Sequence, residues 1–217
     1  MTCRMVNRMA ACQPPAAPEG QVVRYRTTLD RARLLKPDTL GQQARNEAGI
    51  TPAVVLDTAA VFQTMDGFGF SLTGGSALNL QRMSAPARAD ILQELFGSGP
   101  EDIGVSYLRV SIGASDLDEY PWSYNDLPEG ATDPELERFS LGYDTLYLIP
   151  TLKEILEIQP DIPIMGSTWS PPAWMKDNKD WRGGKLLAEY YDTWALFFSK
   201  YLKAYKAEGI DIWGITV

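Results

Sequence analysis

The sequence predicts an α/β fold, namely the first half of a (β/α)8 TIM barrel that follows a short accessory β segment. From Asp66 onward, strand-type and helix-type apolar patterns alternate without hairpin signals, which implies parallel strands joined by right-handed crossovers. About 150 residues follow the start of this pattern, whereas a complete barrel takes about 250. A doubly wound sheet fits the same alternation. The barrel is favoured because Gly67 and Gly69 are not followed by a third glycine that opens a helix, as a dinucleotide-binding turn requires.

The elements can be assigned in chain order, which divides the chain into three regions. Residues 1–21 are interpreted as a leader or tether, residues 22–60 as an accessory β segment with strand-type runs at 22–26 and 53–57, and residues 61–217 as the partial barrel. In the third region the apolar patterns predict strands at 67–73, 105–112, 162–167 and 210–217. Between them, apolar spacing and capping residues predict a helix from the N-cap Ser84 to the stop signal Gly97, a helix from Leu148 with Pro150 in its first turn or at a kink, and a helix over 187–205.

The last eight residues, Ile210 to Val217, form an apolar strand pattern with no turn or polar tail after it. Chain ends normally lie on the surface among polar residues. We therefore expect the natural sequence to continue beyond Val217.

Composition narrows the possible chemistry. The net charge is −8 and the 20 Lys and Arg residues are scattered, so we expect no nucleic-acid partner. The sequence contains no His, which excludes within this chain a Ser-His-Asp triad, a Cys-His pair and an imidazole zinc site. Acid–base catalysis near neutral pH then falls mainly to carboxylates. The six Trp and ten Tyr residues suit the apolar faces of sugars, although most of them are expected to fill the core.

The amino-terminal region contains basic residues but no apolar h-region of a signal peptide. Met9-Ala10-Ala11-Cys12 resembles a bacterial lipobox with Met in the place of Leu, and the Pro- and Ala-rich stretch after it suits a flexible tether. Cys12 is therefore a candidate lipid anchor, which would place the protein outside the cytoplasm. A disordered cytoplasmic leader with an incidental cysteine is the alternative.

In a parallel barrel the reactive groups lie at the carboxyl ends of the strands. After the first predicted strand, the small residues at 72–77 either let a ligand approach the backbone or form a tight turn. Within the second strand, Arg109 either orients a buried carboxylate or is an ordinary surface charge, and we favour the buried role. After that strand, Asp116 can accept hydrogen bonds from sugar hydroxyls, although loop Asp residues also cap turns.

The segment after the third predicted strand contains Trp169 and Trp174 on either side of a Pro pair. The stiff Pro-Pro backbone can hold the indole rings at fixed positions as a platform for a sugar. Packing against the rim of the barrel is the structural alternative, and it applies to Trp174 in particular.

Five motifs make the region over roughly residues 54–217 resemble glycoside hydrolase family 30, which includes glucosylceramidases and β-1,6-glucanases. Their order and spacing carry the resemblance, since any one of them alone is weak. The motifs are Asp66-Gly67-Phe68-Gly69-Phe70-Ser71-Leu72-Thr73, Leu108-Arg109-Val110-Ser111-Ile112-Gly113-Ala114-Ser115-Asp116, Trp122-Ser123-Tyr124-Asn125-Asp126, Ser170-Pro171-Pro172-Ala173-Trp174-Met175-Lys176 and Trp213-Gly214-Ile215-Thr216-Val217.

The resemblance implies a barrel with a side β-sandwich, which would start near residues 25–28, and a retaining mechanism with two glutamates. It places Asp116 on the aspartate that binds hydroxyls of the non-reducing glucose, Trp169 on the tryptophan of the same subsite, and Arg109 on the arginine beneath the nucleophile. In the family, the strand that ends this chain continues into Asn-Glu-Pro, whose Glu is the acid/base. Both catalytic glutamates are thus expected beyond Val217, and no catalytic residue is assigned within the chain. At Gly74 many members have Asp, so the subfamily and the substrate stay open.

The sequence therefore predicts a fragment of a retaining β-glycosidase for β-glucosides, either glucosylceramide-like lipids or β-1,6-glucan. Its partner is a carbohydrate, and the mechanism requires no metal and no organic cofactor. The 217-residue chain by itself is expected to be inactive because it lacks both glutamates. Two alternatives stay open, a catalytically inactive carbohydrate-binding protein that uses Asp116 and Trp169, and a nonfunctional truncation.

Overall fold

The computed structural model describes residues 21–34, 36–41, 57, 59–99 and 102–217. They belong to two compact units that divide between Met65 and Asp66. None of the helices in these ranges is long and apolar enough to cross a membrane.

The first unit contains a two-stranded antiparallel sheet, in which strand β1 (Gln21–Arg26) pairs with strand β2 (Lys36–Gly41). Strand β1 confirms the strand predicted at 22–26. Strand β2 was not predicted, because its sequence begins Lys-Pro-Asp and lacks the apolar alternation of a strand. The run predicted at 53–57 lies outside the described residues except for Asp57, and the assignment of this unit to a β-sandwich stays a prediction.

The second unit is built on a four-stranded parallel sheet. Its strands are β3 (Gly69–Leu72), β4 (Tyr107–Ile112), β5 (Ile164–Thr168) and β6 (Gly214–Thr216), and they lie side by side in chain order. All three pairings are parallel, which confirms the predicted crossover topology. A doubly wound sheet reverses its strand order at a switch point. The four strands described here show no reversal, as expected for consecutive strands of a barrel.

Four helices belong to the same unit: α1 (Gly74–Arg82), α2 (Ala85–Phe96), α3 (Leu148–Ile158) and α4 (Tyr191–Ala207). Helices α2, α3 and α4 confirm the three predicted helices. Pro150 lies in the first turn of α3, where its missing N–H interrupts no helical hydrogen bond.

Helix α1 was not predicted, and it begins within the segment 72–77, where a tight turn was one of the two alternatives. Thr73 is its N-cap, and its Oγ1 accepts a hydrogen bond from the backbone N of Ser76 at 3.3 Å. Two glycines occupy the first turn, and because glycine is a poor helix former they conceal the start of the helix in the sequence. Gly74 opens this helix, but the third glycine of a dinucleotide-binding turn would stand at position 72, which is Leu, so the argument against that fold holds and the strand order supports it.

The apolar core lies between the sheet and the helices. Strand β4 contributes Leu108, Val110 and Ile112, each no more than 2% exposed. Helix α3 contributes Leu152, and α4 contributes a run of buried aromatic residues that includes Tyr205. Since side chains of a strand alternate between its two faces, the opposite face of β4 carries Tyr107, Arg109 and Ser111.

Gly69 of strand β3 lies beside Tyr107 of strand β4. A Cβ at this position would lie 1.8 Å from the carbonyl oxygen of Tyr107, which is far shorter than two non-bonded atoms allow. We expect Gly69→Ala to lower the free energy of unfolding by about 2 kcal/mol, since the two strands must move apart. Urea unfolding measures the loss. Gly214→Ala in strand β6 is the matched control, because nothing lies within 4 Å of its Cβ position, and equal stability of both variants would contradict the prediction.

Candidate functional site

The face of the parallel sheet opposite the helices is polar toward its carboxyl end. Arg109 Nε donates to Ser71 Oγ at 3.2 Å, and the hydroxyls of Ser167 and Thr216 form a hydrogen bond of 2.7 Å. The strand register places Ser111 beside Ser167. We call these five residues the polar face. In a closed barrel this side of the sheet becomes the interior.

Ser111 shows that the polar face is incomplete by itself. The residue is 2% exposed, yet its Oγ has no hydrogen-bond partner among the described residues. A buried hydroxyl without a partner costs free energy. A further polar group bound at this end of the strands would therefore be stabilised by Ser111.

Arg109 is exposed on the face of the sheet that becomes the interior of a closed barrel, so its burial in a complete barrel stays a prediction. It lies on the side of strand β4 that the helices leave uncovered, whereas Leu108 and Val110 on the other side are buried. In the described residues its polar partner is Ser71 and no carboxylate lies within ion-pair distance. The remaining N–H groups of its guanidinium are available to a carboxylate, for which their planar arrangement is suited.

Asp116 lies in the turn that follows strand β4, and its side chain is exposed without a polar partner in the described part of the chain. The neighbouring Asp118 caps this turn instead, since its carboxylate accepts from the backbone N and the hydroxyl of Ser115 at 2.8 Å each. Asp118 also fills the space beside Gly74, where a Cβ would lie 2.0 Å from its Oδ1. The turn-capping role considered for Asp116 thus belongs to Asp118, and Asp116 is available to a ligand.

The two tryptophans of the next loop differ in their surroundings. Trp174 is 7% exposed, and its Nε1 donates to the backbone oxygen and to Oδ1 of Asn125 at 2.9 and 3.1 Å. It therefore joins the loops that follow strands β4 and β5. Trp169 directly follows β5, is 47% exposed and makes no ring contact with the described aromatic residues. The fold brings Arg109, Asp116 and Trp169 to one edge of the sheet, although no direct bond joins them in the described structure.

A buried carboxylate behind this edge was not found from the sequence. Asp144 is 3% exposed, and its Oδ2 accepts hydrogen bonds from the hydroxyls of Tyr124 and Tyr205 at 2.6 Å each. Burial raises the pKa of Asp144 to about 7, because the loss of hydration outweighs these two hydrogen bonds, which lower it. Asp144 lies in a short 3₁₀ turn (Gly142–Thr145) before helix α3. An Asp at that place normally caps a turn, so the sequence carries no signal of its burial.

Asp144 also borders a small cleft of about 30 Å³, which Gly74, Gly75 and Asp118 line from the opposite side. That volume accommodates one or two water molecules. Among the described residues, no group of three or more metal-ligating side chains is placed to hold a metal ion.

The sequential parallel sheet, with polar and aromatic side chains at its carboxyl edge, defines the class of protein as part of a TIM-barrel domain, a fold in which active sites lie at the carboxyl ends of the strands. The chain belongs to glycosyl hydrolase family 30, since the model of that family's TIM-barrel domain matches residues 65–217.

Curated relatives and solved structures agree with this assignment. The chain is 31% identical over 206 residues to the lysosomal acid glucosylceramidase of Mus musculus, covering 91% of this chain and 38% of the mouse enzyme. It is 34% identical over 160 residues to an endo-1,6-β-D-glucanase of Neurospora crassa, covering 71% and 33%. The solved structure of an endo-β-1,6-glucanase superposes with a TM-score of 0.72 at 36% identity, covering 91% and 42%. The chain thus spans well under half the length of each of these proteins.

Proposed function

We propose that this chain is the amino-terminal half of a retaining β-glycosidase that hydrolyses β-glucosides. The observation that carries the proposal is the carboxyl edge of the sheet, where a family 30 domain holds an unpaired Asp116 and an open Trp169 on adjacent loops. A carboxylate and a flat apolar ring are the groups that recognise the hydroxyls and the apolar face of a sugar.

The proposed reaction is a double displacement. One Glu protonates the leaving oxygen while a second attacks the anomeric carbon, and the two carboxyl groups lie about 5 to 5.5 Å apart. Water activated by the first Glu then releases the sugar from the glycosyl enzyme. In this proposal both glutamates belong to the part of the enzyme that follows Val217. No metal and no organic cofactor takes part.

The residues of this chain have binding and orienting roles in that scheme. Asp116 accepts hydrogen bonds from hydroxyls of the non-reducing glucose, and the indole of Trp169 packs against the same sugar. Arg109, with Ser71 bonded to its Nε, directs its remaining N–H groups at the nucleophilic carboxylate. That contact keeps the carboxylate ionised and oriented.

The names of the relatives suggest two substrate classes, glucosylceramide-like lipids and β-1,6-glucan. Both are β-glucosides, so the glucose subsite proposed here serves either one. We also propose an extracytoplasmic location, with Cys12 as a lipid anchor, although Cys12 lies outside the described residues. In this proposal the aglycone is selected mostly by loops from the second half of the barrel.

Substitution of the two sugar-binding residues tests the proposal in the full-length gene product. We expect Asp116→Ala to weaken transition-state binding of an aryl β-glucoside by roughly 1 to 3 kcal/mol, because sugar hydroxyls lose a partner in a desolvated site. Trp169→Ala should have a similar effect through the lost ring contact. Steady-state kinetics measure both, and Glu157→Ala, an exposed carboxylate on helix α3, is the control. Unchanged kcat/KM in two folded variants would remove these residues from the substrate site.

A further inference from the structure

Lys176 is a buried cation in the loop that follows strand β5. The residue is 4% exposed, which is unusual for lysine. Its ammonium group has no carboxylate within ion-pair distance in the described part of the chain. Burial lowers the pKa of Lys176, and the more distant charges of Asp180 and Asp177 offset this only in part. Burial of a lysine without an ion pair costs free energy, which other interactions of its ammonium group must offset.

The hydrogen bonds of Lys176 join the two parts of this loop. Its Nζ donates to Ser170 Oγ at 3.1 Å and to the backbone oxygen of Trp181 at 2.9 Å. Ser170 directly follows Trp169, whereas Trp181 lies toward the tip of the loop. An isolated antiparallel β-bridge pairs the backbone of Lys176 with that of Leu186, where the chain returns from the loop. The ammonium group therefore joins the start of the loop at Ser170 to the backbone at Trp181.

The position of the Trp169 ring depends on its backbone. The indole is half exposed and contacts no other described aromatic ring, so ring packing does not fix its position. On one side the backbone is fixed by strand β5, which ends at Thr168. On the other side the first residue with rotational freedom is Ser170, because Pro171 and Pro172 restrict the chain after it. The hydrogen bond from Lys176 restrains that residue.

We propose that Lys176 is a positioning residue for sugar binding, which holds the Trp169 ring in place through Ser170. The inference rests on the proposed function of Trp169 as part of the glucose subsite. Lys176 itself contacts no substrate in this scheme. Because a platform binds the sugar both in the ground state and in the transition state, loss of positioning should appear mainly in KM.

Kinetics of Lys176→Met in the full-length gene product test the inference with an aryl β-glucoside. Methionine keeps the length and the apolar stem but removes the donors. We expect KM to rise about tenfold, the size of effect that loss of one hydrogen bond to a charged group gives, with kcat within about twofold. In a Trp169→Ala background the same substitution should raise KM no further, since the ring that it positions is gone.

Lys179→Met is the matched control. Lys179 Nζ donates to the backbone oxygen of Trp174 at 2.9 Å in the same loop, so its substitution removes a comparable bond without reaching Ser170. We expect this variant to keep the parental KM. If Lys176→Met does not fold, Ser170→Ala replaces it, because it removes the acceptor and should raise KM in the same way.

Each outcome decides the inference. An unchanged KM in Lys176→Met, or an effect that adds in full to that of Trp169→Ala, would overturn the positioning role while the glucose subsite stands. If Trp169→Ala itself leaves KM unchanged, both the subsite and the role of Lys176 are wrong. A rise in KM that disappears in the Trp169→Ala background supports both.

Discussion

Residues 1–217 alone should not hydrolyse an aryl β-glucoside, whereas the full-length gene product should. The reason is chemical, because a retaining glycosidase needs a general acid/base and a nucleophile, and the proposed function assigns both to glutamates beyond Val217. Without them, no step of the double displacement can take place. Release of the chromophore by the two purified proteins, measured against buffer, gives the comparison.

Two controls separate loss of chemistry from loss of folding. Circular dichroism of residues 1–217 should show whether helices α1 to α4 are formed. The full-length protein with its acid/base Glu replaced by Gln should be as inactive as the fragment on substrates that need protonation. Turnover by the fragment above the buffer rate would move the chemistry onto a carboxylate within the chain, with Asp116 as the first residue to replace.

The contribution of Asp144 to the stability of the protein should fall as the pH rises from about 4 to about 7. Its pKa is about 7 in the folded protein, above the ordinary value of 3.8 that applies to the unfolded chain. Between these two values the folded state keeps a proton that the unfolded state has lost. The contribution of Asp144 to the free energy of unfolding is therefore largest below pH 4. It decreases by roughly 4 kcal/mol between pH 4 and pH 7.

Asp144→Asn is the variant that tests this dependence. Asparagine retains an oxygen that can accept the hydroxyl protons of Tyr124 and Tyr205, but it does not ionise. We expect the difference in free energy of unfolding between the parent and this variant to change by roughly 4 kcal/mol between pH 4 and pH 7. Urea unfolding at pH 4, 5, 6 and 7 measures this difference. Other titrating groups cancel in that difference. A difference that is independent of pH would show that Asp144 titrates in its ordinary range.

Tyr205→Phe gives an independent check on the direction. The hydrogen bond from Tyr205 lowers the pKa of Asp144, so its removal should raise that pKa and move the loss of stability to higher pH. The groups that face Asp144 are Tyr124 and Asp118 from the loop after strand β4, and Tyr201 and Tyr205 from helix α4. A shift of the loss to lower pH would contradict the assignment.

Much of the fold could be predicted because it depends on local patterns. Apolar spacing located strands β3 to β6 and helices α2 to α4, and the absence of hairpin signals predicted the parallel pairing. Ordered motifs predicted family 30, which the match over residues 65–217 confirms. Helix α1 was missed because it begins with two glycines, which are poor helix formers. Strand β2 was missed because it begins with Lys-Pro-Asp and lacks an alternating apolar pattern.

The candidate site was predicted only as far as strand order determines it. Parallel strands place Arg109, Asp116 and Trp169 at one edge, and this follows from the sequence pattern. The hydrogen bond between Arg109 and Ser71 did not follow, since it joins strands β4 and β3 across the sheet. The capping of the turn by Asp118 rather than Asp116 is likewise a matter of three-dimensional packing.

The sequence by itself determined the family, the alternation of strands and helices and the edge at which the site lies, because each is encoded in the spacing of neighbouring residues. Only the tertiary structure decided that Asp144 meets hydroxyls from Tyr124 and Tyr205, the latter 61 residues away, and that Lys176 is buried against Ser170 and Trp181. Burial and the loss of hydration shift the pKa of such groups, and both depend on elements that fold together from distant parts of the chain.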